Sequence, residues 1–277
     1  MLIRAGYQIV YDCPQPTPML LMVSLHPSRV PDLVEQGGTR FDPPLAAPLG
    51  APLGATEYTD GFGNVCTRLL APAGRLTIST TLLIRDGGLP DPVSPAATET
   101  PVPELPDEVL VFLLGSRYCD TDRLSDLAWT LFGNTPPGWE RVQAVCDYAH
   151  DRIGFDYQRA DATRSAREAH DGRQGVCRDY AHLAVALCRC LNIPARYCTG
   201  YLGDMGTPQP WGVPDFAAWF EAYLGGAWHT FDARNNQPRI GRILMARGRD
   251  ATDVAIATTF GPCTLAGFSV VTDEVAA

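Results

Sequence analysis

The sequence predicts an α+β protein in which an N-terminal β-sandwich precedes a domain of helices and antiparallel sheet. Three observations carry this. Strand-like runs rich in Val, Ile, Leu, Thr and Tyr fill residues 1–94, each flanked by Pro, Gly or Asp. A helical period takes over from Asp107. Near the other end, the apolar runs Phe216–Leu224 and Ala227–Arg234 are joined by Gly225-Gly226, the signature of a hairpin.

The bulk properties narrow the function. A chain of 277 residues with 45% hydrophobic content has ample material for one large or two smaller cores. A formal charge of −9 argues against binding to nucleic acid or to anionic membrane, both of which need a basic face. Val109–Leu114 and Met19–Leu25 are core-sized, far short of a membrane span. The start, Met1-Leu2-Ile3-Arg4-Ala5-Gly6-Tyr7, lacks the layout of a signal peptide. Nine cysteines with no framework spacing read as reduced thiols, so a cytoplasmic setting is expected. With no paired C-x-x-C or H-x-x-x-H elements, neither a metal nor another cofactor is expected.

In chain order, strands are expected at Ile3–Tyr11, Met19–Leu25, Val65–Leu70 and Arg75–Ile84, with a loop over the repeat Ala47–Gly54. Pro and Gly dominate from Gly88 onward, and residues 95–106 are taken as a linker between a 1–94 β-domain and a 107–277 domain. Helices are expected at Asp107–Leu114, Thr121–Phe132, Trp139–Ile153 and Arg164–His170. A strand over Ala195–Leu202 follows the helix stop Asn192-Ile193-Pro194.

The informative stretch is Gly175-Val176-Cys177-Arg178-Asp179-Tyr180-Ala181-His182-Leu183. Leu183, Leu187 and Leu191 recur every four residues, so a helix starts near Cys177 and runs to about Leu191. A cysteine in a first helical turn meets unpaired N–H groups and the positive end of the helix dipole, which favour thiolate. The same N–H groups can stabilise an oxyanion. The histidines offer no obvious partner. His26 reads as a loop residue, and His150 and Asp151 project about 100° apart on a helix. His182, five residues past Cys177, lies on another face of the same helix and is expected to be buried against backbone.

Two blocks, GVCRDYAHLAVALCRCLNIPARYCTGYLGD (Gly175–Asp204) and DFAAWFEAYLGGAWHTFDARNN (Asp215–Asn236), resemble the transglutaminase-like superfamily of papain-type thiol enzymes. More narrowly, the chain resembles bacterial proteins that join an N-terminal β-domain to a transglutaminase-like core. The resemblance implies a nucleophile at Cys177, a histidine base on the first hairpin strand and an aspartate, Asp232, on the second. Against the family pattern His-Ala-Trp-x-Glu this chain reads Ala217-Ala218-Trp219-Phe220-Glu221, so the base position holds Ala217. A two-residue turn would pair Ala222 with His229, Trp219 with Asp232 and Ala217 with Arg234. That register turns His229 to the opposite face, so it is no substitute for the missing base.

The implied activity is acyl transfer at amide bonds of a peptide or small molecule through a Cys177 thioester, with peptidase or amidase action ranked first. Amide-bond formation by transamidation and a catalytically silent binding module are the alternatives. Ala217 is either an engineered replacement, the favoured reading because the rest of the constellation is intact, or a natural loss; in both cases this form is expected to be inactive. Trp219, Tyr201 and Trp211 are candidates to line the acyl groove, and Glu221 with Arg234 to form a cross-strand ion pair. Oligomeric state is left open.

Overall fold

The computed structural model describes residues 1–45, 54–208 and 214–275. Most of the expected loop at Ala47–Gly54, and Trp211, lie outside the described residues. The N-terminal part supplies seven strands: β1 (Leu2–Cys13), β2 (Thr17–Leu21), β3 (Leu33–Gln36), β4 (Arg40–Asp42), β5 (Ala55–Thr59), β6 (Val65–Ala71) and β7 (Gly74–Arg85). The second part begins with α1 (Asp107–Leu110), α2 (Ser125–Phe132) and α3 (Trp139–Arg152). Next come β8 (Gly154–Phe155), α4 (Ala166–Gly172), β9 (Gln174–Gly175) and α5 (Cys177–Cys190). The chain closes with β10 (Ala195–Tyr201), β11 (Phe216–Leu224), β12 (Ala227–Phe231), β13 (Ile243–Gly248), β14 (Ala257–Thr259) and β15 (Thr264–Val275).

The sandwich has two sheets. One runs β15-β1-β7-β3, with β4 also on β7, and the other runs β14-β2-β6-β5. The boundary expected from sequence therefore changes. The last two strands, assigned above to a 107–277 domain, belong to the N-terminal sandwich, and β15 pairs with β1 at eleven positions. The linker is also more than a spacer. Glu99 pairs with Arg141 at 3.0 Å, the Trp139 N–H donates to the Ala97 carbonyl, and the Gly225 N–H donates to the Thr98 carbonyl. These bonds satisfy backbone groups that burial would otherwise leave costly, so the Pro-rich segment is a strap across the second unit.

The second unit is built on the antiparallel sheet β12-β11-β10-β13. Helix α5 packs across it, and Leu183, Leu187 and Leu191 are buried with Phe220, Ala222 and Leu224 of β11. The alternate residues of β11, Ala217 and Trp219, face the other way, with Cys198, Leu202 and Leu244. The turn is as expected: Gly225 and Gly226 both have positive φ, and the pairs Leu224↔Ala227 and Ala222↔His229 form. Tyr201, Phe216, Ile243 and Met245 reach from this sheet into the sandwich core, so the two units share apolar packing.

The expected helices at Asp107–Leu114 and Thr121–Phe132 each divide into a 3₁₀ turn and a short α-helix. Because β15 completes the sandwich, a chain ending at Pro262 is expected to lose its cooperative unfolding transition. The eleven pairings and the Val270 anchor are a large share of a margin of about 5–15 kcal/mol. A calorimetric scan that left the midpoint unchanged would show β15 to be peripheral.

Candidate active site

Helix α5 begins at Cys177, where the sequence places its start. Asp179 fixes that start: its carboxylate accepts the Val176 N–H at 2.8 Å and is held by Arg164 at 3.2 Å. Gly175 makes this possible, since a Cβ there would come within 2.5 Å of the Asp179 carboxylate. Burial pushes the Asp179 carboxyl up in pKa, partly countered by the Val176 N–H and the two nearby arginines.

The half-buried Cys177 sulfur lies beside β11. The β11–β12 ladder stops at Phe220↔Phe231, whereas β11 stays paired with β10 as far as Phe216. Residues 216–219 therefore present an open edge, and the Ala218 N–H on it is directed at the Cys177 sulfur, as is the Arg178 N–H. The thiol is nevertheless pushed up to about 11, because desolvation by burial outweighs Arg234 and the two amides, and Asp215 adds to the rise. The poised thiolate expected from the helix start is thus not the resting form; its N–H groups are present, but burial dominates.

Cys177 and Ala217 line one cavity of about 480 Å³, together with Tyr157, Asp215 and Arg234. Thr272, Asp273 and Glu274 of β15 contribute to its wall, so the sandwich domain borders the site. None of the five histidines lines it. His229 faces Trp139 and donates from Nε2 to the Leu224 carbonyl at 3.2 Å, as its register requires. His182 is buried between Tyr118 and Tyr197 and accepts the Ala251 N–H at Nε2. Burial drives its pKa down to about 3, so it stays neutral. His150 donates from Nδ1 to the Arg234 carbonyl at 2.9 Å, bracing the loop after Asp232. His26 caps a 3₁₀ turn through Ser28.

Asp232 sits just past the end of β12 and borders a second cavity of about 270 Å³ rather than the one holding Cys177. Its carboxylate accepts the Asn235 side chain at 2.8 Å and Arg242 at 3.1 Å. Arg242 also binds Asp91 at 2.9 Å and lies 4.6 Å over the Trp219 ring. This arginine had no signal in the sequence; only the fold shows it beside Asp232.

Three expected roles are corrected. Trp219 is 2% exposed and serves as the platform for Arg242, and Tyr201 is 1% exposed and packs edge-on against Phe216; neither lines the Cys177 cavity. Bulky aromatics on a doubly covered sheet are drawn into the core. Glu221 pairs with Arg196 rather than Arg234, because β12 ends before it could bring Arg234 opposite; Arg234 instead stacks on Phe155 at 4.2 Å. Asp215, Tyr157 and the β15 residues were missed, since their approach to Cys177 depends on tertiary packing.

Comparison with known proteins fits this geometry. Residues 126–233 match the model of the Transglutaminase-like superfamily. An uncharacterized protein of Mycobacterium leprae is 27% identical over 204 residues, covering 72% of this chain and 73% of that protein. An uncharacterized protein of Mycobacterium tuberculosis is 32% identical over 111 residues, 36% of this chain and 35% of that protein. The crystal structure of a candidate cysteine protease from Cytophaga hutchinsonii superposes with a TM-score of 0.83 at 29% identity, covering 100% of this chain and 91% of that one.

A thiol held near 11 gives a distinct titration. Alkylation of Cys177 is expected to quicken about tenfold per pH unit from pH 7 to pH 10 and to level off only near pH 11. Arg234→Gln removes the main group favouring the thiolate and is expected to slow alkylation at every pH below that plateau. Peptide-resolved iodoacetamide kinetics measure both effects, and a plateau near pH 7 would contradict the assignment.

Proposed function

From the match of residues 126–233 to the transglutaminase-like superfamily, we propose that this chain is a thiol acyl-transfer protein acting on amide bonds, disabled by alanine at position 217. The observation that carries the reading is the Cys177 sulfur at the open edge of β11, facing two backbone N–H groups inside a cavity. In the proposed reaction the sulfur attacks an amide carbonyl, and the Arg178 and Ala218 N–H groups that face the sulfur turn to the resulting oxyanion. Collapse forms a thioester and expels an amine, which must take up a proton. A histidine at 217 would take the thiol proton and return it to that amine, with Asp232 holding its tautomer. Water then releases the acid, completing peptidase or amidase action; an amine acceptor would instead complete transamidation.

Burial holds the Cys177 thiol protonated, and alanine at 217 offers no group to take that proton. We read Ala217 as a replacement because Cys177 and Ala217 share one cavity and backbone N–H groups face the sulfur, with Asp232 directly after the next strand. One observation favours a second reading, a natural binding module without turnover. Arg242 already neutralises Asp232, so the site is electrostatically satisfied without an imidazole.

Ala217→His separates the two. Acyl transfer predicts that it speeds Cys177 alkylation at pH 7 and raises amine release from a library of peptide amides by about 10³-fold or more, with Cys177→Ser abolishing the gain. If Ala217→His changes neither quantity, position 217 is not the base and the binding-module reading takes its place.

A further inference from the structure

A second pair of reactive groups lies away from the cavity, where the first and last strands of the sandwich meet. The β1–β15 ladder ends with Tyr11↔Leu265 and Asp12↔Thr264. One further step in the same register sets Cys13, the last residue of β1, opposite Cys263, the residue before β15. Both are free thiols, Cys13 buried and Cys263 half-buried. The Cys13 thiol is within hydrogen-bonding reach of the Cys263 sulfur.

From this juxtaposition we propose that Cys13 and Cys263 form a reversible cross-strand disulfide that ties the N-terminal strand to the C-terminal one. Opposed residues on antiparallel strands bring their Cβ atoms to about 4.5–5.5 Å, near the separation a disulfide spans, so the bond needs only a small adjustment. Among the described residues no other two cysteines face each other across paired strands, and Cys188 and Cys190, the closest in sequence, diverge on one helix.

The chemistry assigns the two sulfurs different parts. Cys263 is accessible enough to meet a small-molecule disulfide. Its thiolate attacks one sulfur of that reagent, forming a mixed disulfide and expelling one small-molecule thiolate. Cys13 is shielded, and burial together with Cys263 pushes its thiol up to about 12, so it keeps its proton until the mixed disulfide forms beside it. The Cys13 sulfur, on losing that proton to solvent, attacks the Cys263 sulfur and expels the second thiolate. Two protein thiols are oxidised and one small-molecule disulfide is reduced to two thiols.

The bond would close a loop from residue 13 to residue 263, nearly the whole chain, and such long closures restrict the unfolded state most. It would also pin β15 beyond the irregularity at Val10/Tyr11, on the strand whose far end supplies Thr272, Asp273 and Glu274 to the Cys177 cavity. The inference stands on the sandwich alone and does not depend on the activity proposed above.

The test is to incubate the full chain with oxidised glutathione, block remaining thiols with N-ethylmaleimide, and map the digest without reduction. The expected result is a linked peptide pair carrying Cys13 and Cys263, lost on treatment with dithiothreitol. Oxidation should also raise the unfolding midpoint by several degrees, a rise that Cys263→Ser abolishes. Recovery of Cys263 only as a glutathione adduct, of both cysteines as maleimide adducts, or of either one linked to a different cysteine would overturn the proposal. The peptide map is made on the unmutated chain, so its outcome does not depend on whether the variant folds.

Discussion

The site depends on a mismatch between two packings of one strand. Helix α5 lies along the full length of β11, while β12 pairs with only the second half of it, from Phe220 onward. The apolar face of α5, with Leu183, Leu187 and Leu191 fully buried, gains about 1.5–3 kcal/mol per large side chain and fixes the helix axis on the sheet. The helix N-terminus is thereby delivered to the stretch of β11 that lacks a partner. A backbone N–H on an unpaired edge seeks an acceptor, and the Cys177 sulfur takes the Ala218 N–H. Had β12 continued past Phe231, that edge would have been closed and the cavity filled by strand.

The same geometry sets up opposing electrostatic effects. The two amides and Arg234 favour a charged sulfur, but the burial that positions them penalises charge more strongly. A cysteine enclosed in this way needs a nearby proton acceptor to react near neutral pH, the role that the proposed function assigns to position 217. Behind it, Asp91, Arg242 and Asp232 form a buried ionic chain over the Trp219 face. Charges this well buried persist only when paired. The chain thereby binds the Pro-rich strap, through Asp91, to the loop that carries Asp232.

Much of this was legible in the sequence, for identifiable reasons. The start of α5, the hairpin register near its turn and the opposite facing of Ala217 and His229 follow from local periodicity and turn chemistry. The expected pairs Trp219 with Asp232 and Ala217 with Arg234 do not form, because β12 ends at Phe231. What failed to show was non-local. Strand β13 and the return of β14 and β15 to the sandwich depend on pairing with segments more than 200 residues away in the case of β15, and no local pattern encodes that partner. Trp219 and Tyr201 looked like groove residues because aromatic type alone does not distinguish a cavity wall from a core; sheet faces and the Arg242 stack do. The lowered thiol pKa expected of a helix N-terminus failed because sequence gives the dipole but not the burial.

The central claim is that Cys177 is an acyl acceptor whose only missing part is a proton carrier. The direct measurement treats this chain, with Ala217 in place, with a p-nitrophenyl ester at mildly alkaline pH and locates the adduct by peptide mass mapping. Such an ester needs no protonation of its leaving group. The predicted result is an acylation rate at Cys177 that, normalised to its alkylation rate at the same pH, exceeds that of each of the other eight cysteines. Acylation spread across the thiols according to exposure, with the half-buried Cys263 matching Cys177, would contradict it.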